Sequence, residues 1–129
     1  MKDKISAVQE FHTAFKIGYK NEPIADLGDA KNQLRYNLMK EENEEYYEAA
    51  KNNDLIEVAD ALGDMLYILC GTIIEHGMQH KIEEVFNEIQ RSNMSKLGKD
   101  GKPIYREDGK VLKGPNYFKP DIKRILEKQ

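Results

Sequence analysis

The chain of 129 residues has no tryptophan, one cysteine and four prolines. A lone cysteine excludes an internal disulfide, and the absence of any Cys/His cluster makes a zinc site improbable. Cys70 sits in the apolar run Met65-Leu66-Tyr67-Ile68-Leu69-Cys70, where it reads as a small buried hydrophobe. That run, extended to Ile74, is too short to span a bilayer. The Met1-Lys2-Asp3-Lys4 opening begins an amphipathic pattern without a signal-peptide core, so a cytoplasmic protein with no membrane partner is expected. Scarce proline and the lack of low-complexity segments argue against disorder. What remains, 40% hydrophobic and 33% charged residues, is the composition of an ordered, helix-rich domain.

A strong charge of one sign is also missing. The net charge is only −3, but it is unevenly spread. Residues 96–119 hold seven Lys/Arg against three Asp/Glu, a balance of +4, which leaves −7 on the rest. An acidic body with one short basic arm lacks the broad basic face of a duplex binder, so no nucleic-acid partner is expected.

Apolar spacing predicts four long helices. The first covers about Lys4 to Phe15, with Ile5, Val8, Phe11 (or His12) and Phe15 at helical spacing and core packing expected for Phe11 and Phe15. After the polar connector Asn21 to Asp29, the second runs from about Ala30 to Ala50. Asp54 followed by Glu57 is a capping-box signal for a third helix, Leu55 to Glu75. Its apolar residues lie on more than one face, so it is expected to be the most buried element. His76-Gly77 ends it, and a fourth covers about Lys81 to Met94 on a stripe of Ile82, Val85, Phe86 and Ile89. Short connections favour an antiparallel four-helix bundle. Asp100-Gly101, Asp108-Gly109 and Gly114-Pro115 then mark turns. The expected fold is a single all-α domain: a helical core over 1–97, an irregular but ordered basic arm over 98–120, and a short terminal helix over 121–129 capped by Asp121.

Chemistry concentrates in two acidic clusters, Glu41-Glu42-Asn43-Glu44-Glu45 and Glu57-Val58-Ala59-Asp60 with Asp64. At 100° per residue, Glu41 and Glu45 continue the stripe begun by Leu34 and Leu38, with Glu42 at its edge. Glu57, Asp60 and Asp64 share a face with Ala61 and Ile68. Converging carboxylates stay ionised only if a cation or strong donors compensate, and a hard oxygen-liganded ion such as Mg²⁺ is the simplest compensation. Glu44 and Glu48 fit an ordinary solvated helix surface equally well. Lys96, Lys99, Lys102, Arg106, Lys110 and Lys113 suit a polyanion, though a merely soluble tail explains their charge as well. Asn93-Met94-Ser95-Lys96 offers amide, hydroxyl and ammonium donors within one turn. His12, between Phe11 and Phe15, is a candidate for reading a base.

Glu41-Glu42-x-x-Glu45 followed by Glu57-x-x-Asp60 resembles the EExxE…ExxD signature of the all-α nucleoside triphosphate pyrophosphohydrolases. This MazG-like group includes phosphoribosyl-ATP pyrophosphohydrolases and dimeric dUTPases. The stretches Phe11-His12-x-x-Phe15, Glu57 to Tyr67, and Arg91 through Phe118 resemble a small stand-alone branch, so nearly the whole chain is covered. The resemblance implies hydrolysis between the α and β phosphates of a nucleotide, giving a monophosphate and pyrophosphate with Mg²⁺, or Mn²⁺ as a substitute. It implies Glu42, Glu45, Glu57 and Asp60 as metal ligands and Glu41 as a further ligand or the group that orients water. It further implies Asn93 and Lys96 near phosphate, Lys113 and Tyr117 closing over the nucleotide, and a homo-oligomer, dimer or tetramer. In the commoner pattern the ExxD aspartate lies in Leu-Gly-Asp, which here is Asp64, and Ala61 replaces the acid three residues before it. Glu57/Asp60 is therefore the favoured register, with Asp64 as a supporting or second-metal residue. Two other readings share these features: a non-catalytic metal- or nucleotide-binding helical module, and hydrolysis of phosphoribosyl-ATP, which the long arm after Met94 disfavours.

Overall fold

The computed structural model describes residues 1–128. It contains five helices: α1 (Lys2–Ala14), α2 (Asp29–Lys51), α3 (Leu55–Glu75), α4 (Ile82–Met94) and α5 (Ile122–Glu127). The chain is all-α. Among the described residues no strand forms, and an isolated antiparallel bridge joins Tyr105 to Val111. No helix among them is long and apolar enough to cross a membrane.

The chain divides into two compact units, Met1–His80 and the segment from Lys81 onward. In the first, α3 packs against both α2 and α1. The α2–α3 turn is only Asn52-Asn53-Asp54, so the two helices run antiparallel. Asn53 takes a left-handed φ of 52°, which asparagine tolerates, and the Asp54 carboxylate accepts the Glu57 amide at 3.1 Å as the N-cap.

α3 holds more buried residues than any other described helix, as its several apolar faces predict, but its burial is uneven. Cys70, Gly71, Ile73, Ile74 and Glu75 are buried, whereas Leu55 and Ile56 are about four-fifths exposed and Leu62, Leu66 and Leu69 are also open. Apart from Ala61, the buried residues of α3 lie in its C-terminal half, and α1 contributes Ile5 and Val8 to the core. His12, the alternative stripe residue of α1, takes the buried position, and Phe11 and Phe15 depart from expectation. They stack on each other at 4.5 Å, with Tyr67 edge-on to Phe11 at 5.6 Å, as an exposed aromatic cluster.

The connector between α1 and α2 is tied to the end of α3. Lys20 N donates to Ile74 O (3.0 Å), Ile24 N to His76 O (2.9 Å) and Gln79 Nε2 to Lys20 O (2.6 Å), while His76 Nδ1 lies 2.8 Å from Ile24 O. Gly77 makes this approach possible. Its φ is +68°, and a Cβ there would lie 2.0 Å from Glu22 O.

In the second unit α4 and α5 are joined through the arm. Buried Glu88 accepts Arg91 Nε at 2.8 Å, Arg91 Nη2 at 3.0 Å and the Asp121 amide at 2.7 Å. These donors hold its carboxyl down near a pKa of about 2. Ser92 Oγ donates to Phe118 O (2.8 Å), and the Arg91 guanidinium lies 4.2 Å from the centre of the Phe118 ring. Asp121 then caps α5 through the Arg124 amide at 3.2 Å. The arm itself doubles back, with Arg106 N bonded to Lys110 O (2.8 Å) and Leu112 N to Ile104 O (2.7 Å). In α4, Phe86 and Ile89 of the expected stripe are exposed.

Candidate functional site

The α2–α3 hairpin brings the two acidic clusters onto facing helices. Glu42 is half-buried, and its Oε2 is sealed from solvent without a hydrogen-bond donor. Lost hydration pushes its carboxyl up to about 7. The adjacent Glu45 carboxyl adds to this, followed by the charges of Asp64 and Asp60. Glu42, Glu45, Asp60 and Asp64 thus share one electrostatic neighbourhood. Asp64 is half-buried and bears on Glu42 more strongly than exposed Asp60 does.

Glu57 stands on the other flank. It lines an open groove of about 520 Å³ near the hairpin turn, together with Glu41, Glu44, Glu45, Glu48 and Asp54. Glu45 belongs to both groups. Among the described residues no three acidic, imidazole or thiol side chains stand close enough to ligate one ion as placed. The donor chemistry nevertheless fits a hard cation. An orphaned buried carboxylate oxygen beside three further acids is short of positive charge, and oxygen-only donors suit Mg²⁺ or Mn²⁺.

His12 lies elsewhere in the same unit. Its ring is buried at the α1–α3 contact, Nδ1 2.9 Å from Gly18 O. A Cβ on Gly71 would approach its Nε2 to 2.9 Å and Arg35 Nη2 to 2.7 Å, so glycine leaves the space that both polar groups occupy. Arg35 continues this polar layer. Its Nη2 donates to Ile68 O (2.8 Å), its Nε to Thr72 Oγ1 (3.1 Å), and Nε also lies 3.2 Å from Glu75 Oε2. Glu75 Oε1 meets Lys31 Nζ at 2.7 Å. Burial pulls the Arg35 pKa below its ordinary value, and Glu75 partly opposes that shift. Sequence reasoning missed this layer. The available signals were an arginine between the stripe residues Leu34 and Leu38, and an acid at the negative end of α3, where the helix dipole disfavours it.

The remaining candidates fall in the second unit. Asn93 and Lys96 line a cavity of about 390 Å³ with Met94, Leu97, Pro103 and Val111. The Lys96 carbonyl accepts the Gly114 amide at 2.8 Å, and a Cβ on Gly114 would come within 2.3 Å of Leu97 O, so only glycine brings the arm this close. Lys113 Nζ lies 4.8 Å from the centre of the Tyr117 ring. Arg106 is committed to Asp108 through Nε at 2.9 Å and a second bond from Nη2. That pairing removes it from the cations available to a polyanion.

Residues 8–93 match the family described as phosphoribosyl-ATP pyrophosphohydrolase. Among solved structures, the chain is similar to a protein from Exiguobacterium sp. 255-15 described as a candidate NTP pyrophosphohydrolase. The two share 22% identity over 96% of this chain and 94% of that one, with a TM-score of 0.52. At that identity the likeness speaks for the fold. No curated protein matches the chain.

Proposed function

The chain belongs to the phosphoribosyl-ATP pyrophosphohydrolase family, and on that premise we propose that it is a Mg²⁺-dependent nucleoside triphosphate pyrophosphohydrolase. It cleaves between the α and β phosphates of (d)NTPs and acts in nucleotide-pool housecleaning. The observation that carries the reading is Glu42: a sealed, donorless carboxylate oxygen and a pKa lifted to about 7 by lost hydration and, after it, by three neighbouring acids. A structural surface cluster would spread such acids into water, whereas a cation site gathers them.

In this reading Glu42, Glu45, Glu57 and Asp60 hold the metal, with Asp64 beside them. When bound, a divalent ion neutralises phosphate charge and makes a bound water easier to deprotonate. Glu41, in the open groove, is placed in this scheme to orient the attacking water and accept its proton. The water oxygen joins the α phosphorus, the bond to the bridging oxygen breaks, and pyrophosphate leaves with the electron pair. Asn93 and Lys96 donate to phosphate oxygens, and Lys113 and Tyr117 bind the nucleoside end. The apolar faces left open on α3 favour a homo-oligomer, dimer or tetramer, in a cytoplasmic setting.

The test is release of pyrophosphate from a panel of NTPs and dNTPs with Mg²⁺, comparing wild type with Asp60→Asn and Glu45→Gln. Turnover that drops at least about 100-fold in both folded variants is expected. No pyrophosphate from any member of the panel would sink the reading. A second reading is favoured by the family's own description: hydrolysis of phosphoribosyl-ATP by the same chemistry. Direct competition between that substrate and the NTP panel separates the two.

A further inference from the structure

Phe11, Phe15 and Tyr67 form a cluster that the hydrophobic core of the first unit does not use. Phe15 is 67% exposed, and Tyr67 and Phe11 are open too, although Ile5, Val8 and His12 of the same helix α1 are buried. The Phe11 and Phe15 rings stack at 4.5 Å with a tilt of 33°, and Tyr67 meets Phe11 edge-on at 5.6 Å and 87°. Rings ordered on one another yet open to water present a preformed π surface.

Its position along α3 links this surface to the acids. Positions 60, 64, 67 and 71 follow at intervals of four, three and four, so they form one stripe of the helix. Asp60 and Asp64 occupy one end, where their charges reach Glu42 of α2. Gly71 stands at the other end, beside the space that Arg35 of α2 and His12 of α1 fill. Tyr67 lies between them. At 1.5 Å per residue it is about 4–5 Å along the axis from Asp64 and roughly 10 Å from Asp60. The aromatic surface thus continues the carboxylate stripe, within reach of a nucleotide whose phosphates are held at those acids.

Polar groups that could read a base are scarce here. The His12 ring is buried and its Nδ1 is engaged with Gly18 O at 2.9 Å, so it is not available to a ligand. Within the cluster the polar atom is the Tyr67 hydroxyl. A surface of π faces with one phenol holds a base by stacking, which every base offers, and favours the larger ring system.

We propose that Phe11, Phe15 and Tyr67 are the base platform of the substrate site. The nucleobase stacks on the Phe15 ring, backed by Phe11 and Tyr67, and selection follows stacking area, so purine nucleotides are held more tightly than pyrimidine ones. This rests on the proposed pyrophosphohydrolase reading and deepens it by assigning the base to the first unit.

The experiment is calorimetric titration of the full chain, in Mg²⁺, with the α,β-methylene triphosphates of adenosine, of cytidine and of a base-free ribose. In wild type the adenosine analogue is expected to bind at least about tenfold more tightly than the base-free one, with the cytidine analogue between them. Phe15→Leu is expected to bring the ratio of adenosine to base-free affinity close to one, and Phe15→Tyr to keep it. Because Phe15 is mostly exposed, both replacements spare the core. No saturable binding to wild type, equal affinity for base-bearing and base-free analogues, or a tighter cytidine analogue would each overturn the proposal, and none of these needs a variant. A ratio unchanged in Phe15→Leu would overturn it as well. If that variant also sediments as a monomer where wild type is an oligomer, the surface belongs to a second copy of the chain instead. Pyrophosphate release from ATP, measured alongside, separates the two possible failures. Release without a base-dependent ratio removes the platform alone, whereas a base-dependent ratio without release removes the hydrolase reading and leaves the platform.

Discussion

Arg35 and Glu75, forty residues apart in sequence, meet at 3.2 Å between α2 and α3 with both side chains under a tenth exposed. Each charge has left water for the other, for Lys31 and for the Ile68 carbonyl and Thr72 hydroxyl. The pair therefore stabilises the native state chiefly by not being broken.

Removing one partner should be far worse than removing both. Arg35→Met strands Glu75 with Lys31 alone and should cost about 3–5 kcal/mol, while Arg35→Met with Glu75→Leu should cost much less. Urea unfolding of the three proteins measures this. Equal losses in the single and double variants would contradict the account.

Glu42 predicts how metal-free protein responds to pH. Its folded pKa of about 7 lies above the ordinary 4.5, so between these values the folded state holds a proton that the unfolded state has released. Stability should therefore fall as pH rises from about 4.5 to 7 and level off above that. Glu42→Gln should flatten this slope and raise the melting temperature at pH 8. Mg²⁺ should stabilise wild type more at pH 8 than at pH 5, because ligands must be ionised. Thermal melts in chelator and in Mg²⁺ across that range check all three.

Gly77→Ala should loosen the connector. The new Cβ would lie 2.0 Å from a backbone carbonyl and would also sit at φ +68°, so overpacking of about 1–3 kcal/mol combines with left-handed strain of about 1–2 kcal/mol. Gly28→Ala, at φ +93° with open space around it, should show only the strain. Melting temperatures of the two variants, with amide exchange at Lys20 and Ile24, distinguish these costs.

Glu88→Gln should free the arm from α4. The carboxylate joins Arg91 to the Asp121 amide, and its pKa of about 2 lies below the ordinary value. Its contribution is thus present above about pH 4.5 and lost as pH falls toward 2. Hydrogen exchange should quicken at the amides of Phe118, Asp121 and Arg124 in the variant. Unchanged exchange there would mean that Ser92 and Phe118 hold the arm unaided.

Much of the local architecture was legible. The span Leu55 to Glu75 and its Asp54 cap follow from apolar spacing and from an acid three residues before Glu57, both short-range signals. That the two acidic clusters face each other was legible for the same reason, since a three-residue turn lays the acidic faces of α2 and α3 side by side, but the sequence reading gave Asp64 only a supporting place beside Glu42, Glu45, Glu57 and Asp60. Glu57 was harder to assign, because a neighbour three residues from Asp60 can still line a different groove when the helix face is wide.

The amino-acid order by itself determined the all-α class, the helix limits to within a residue or two, the acidic pairing and the turns of the arm. Each rests on interactions within a few residues, where periodicity and capping chemistry operate. Only the tertiary structure decided between Phe11 and His12 for the buried position on α1, placed His12 beside Arg35, left Phe11 and Phe15 open, and clamped the connector against the end of α3. Those outcomes depend on side chains tens of residues apart competing for the same space and the same hydrogen bonds. No local pattern records which of them wins.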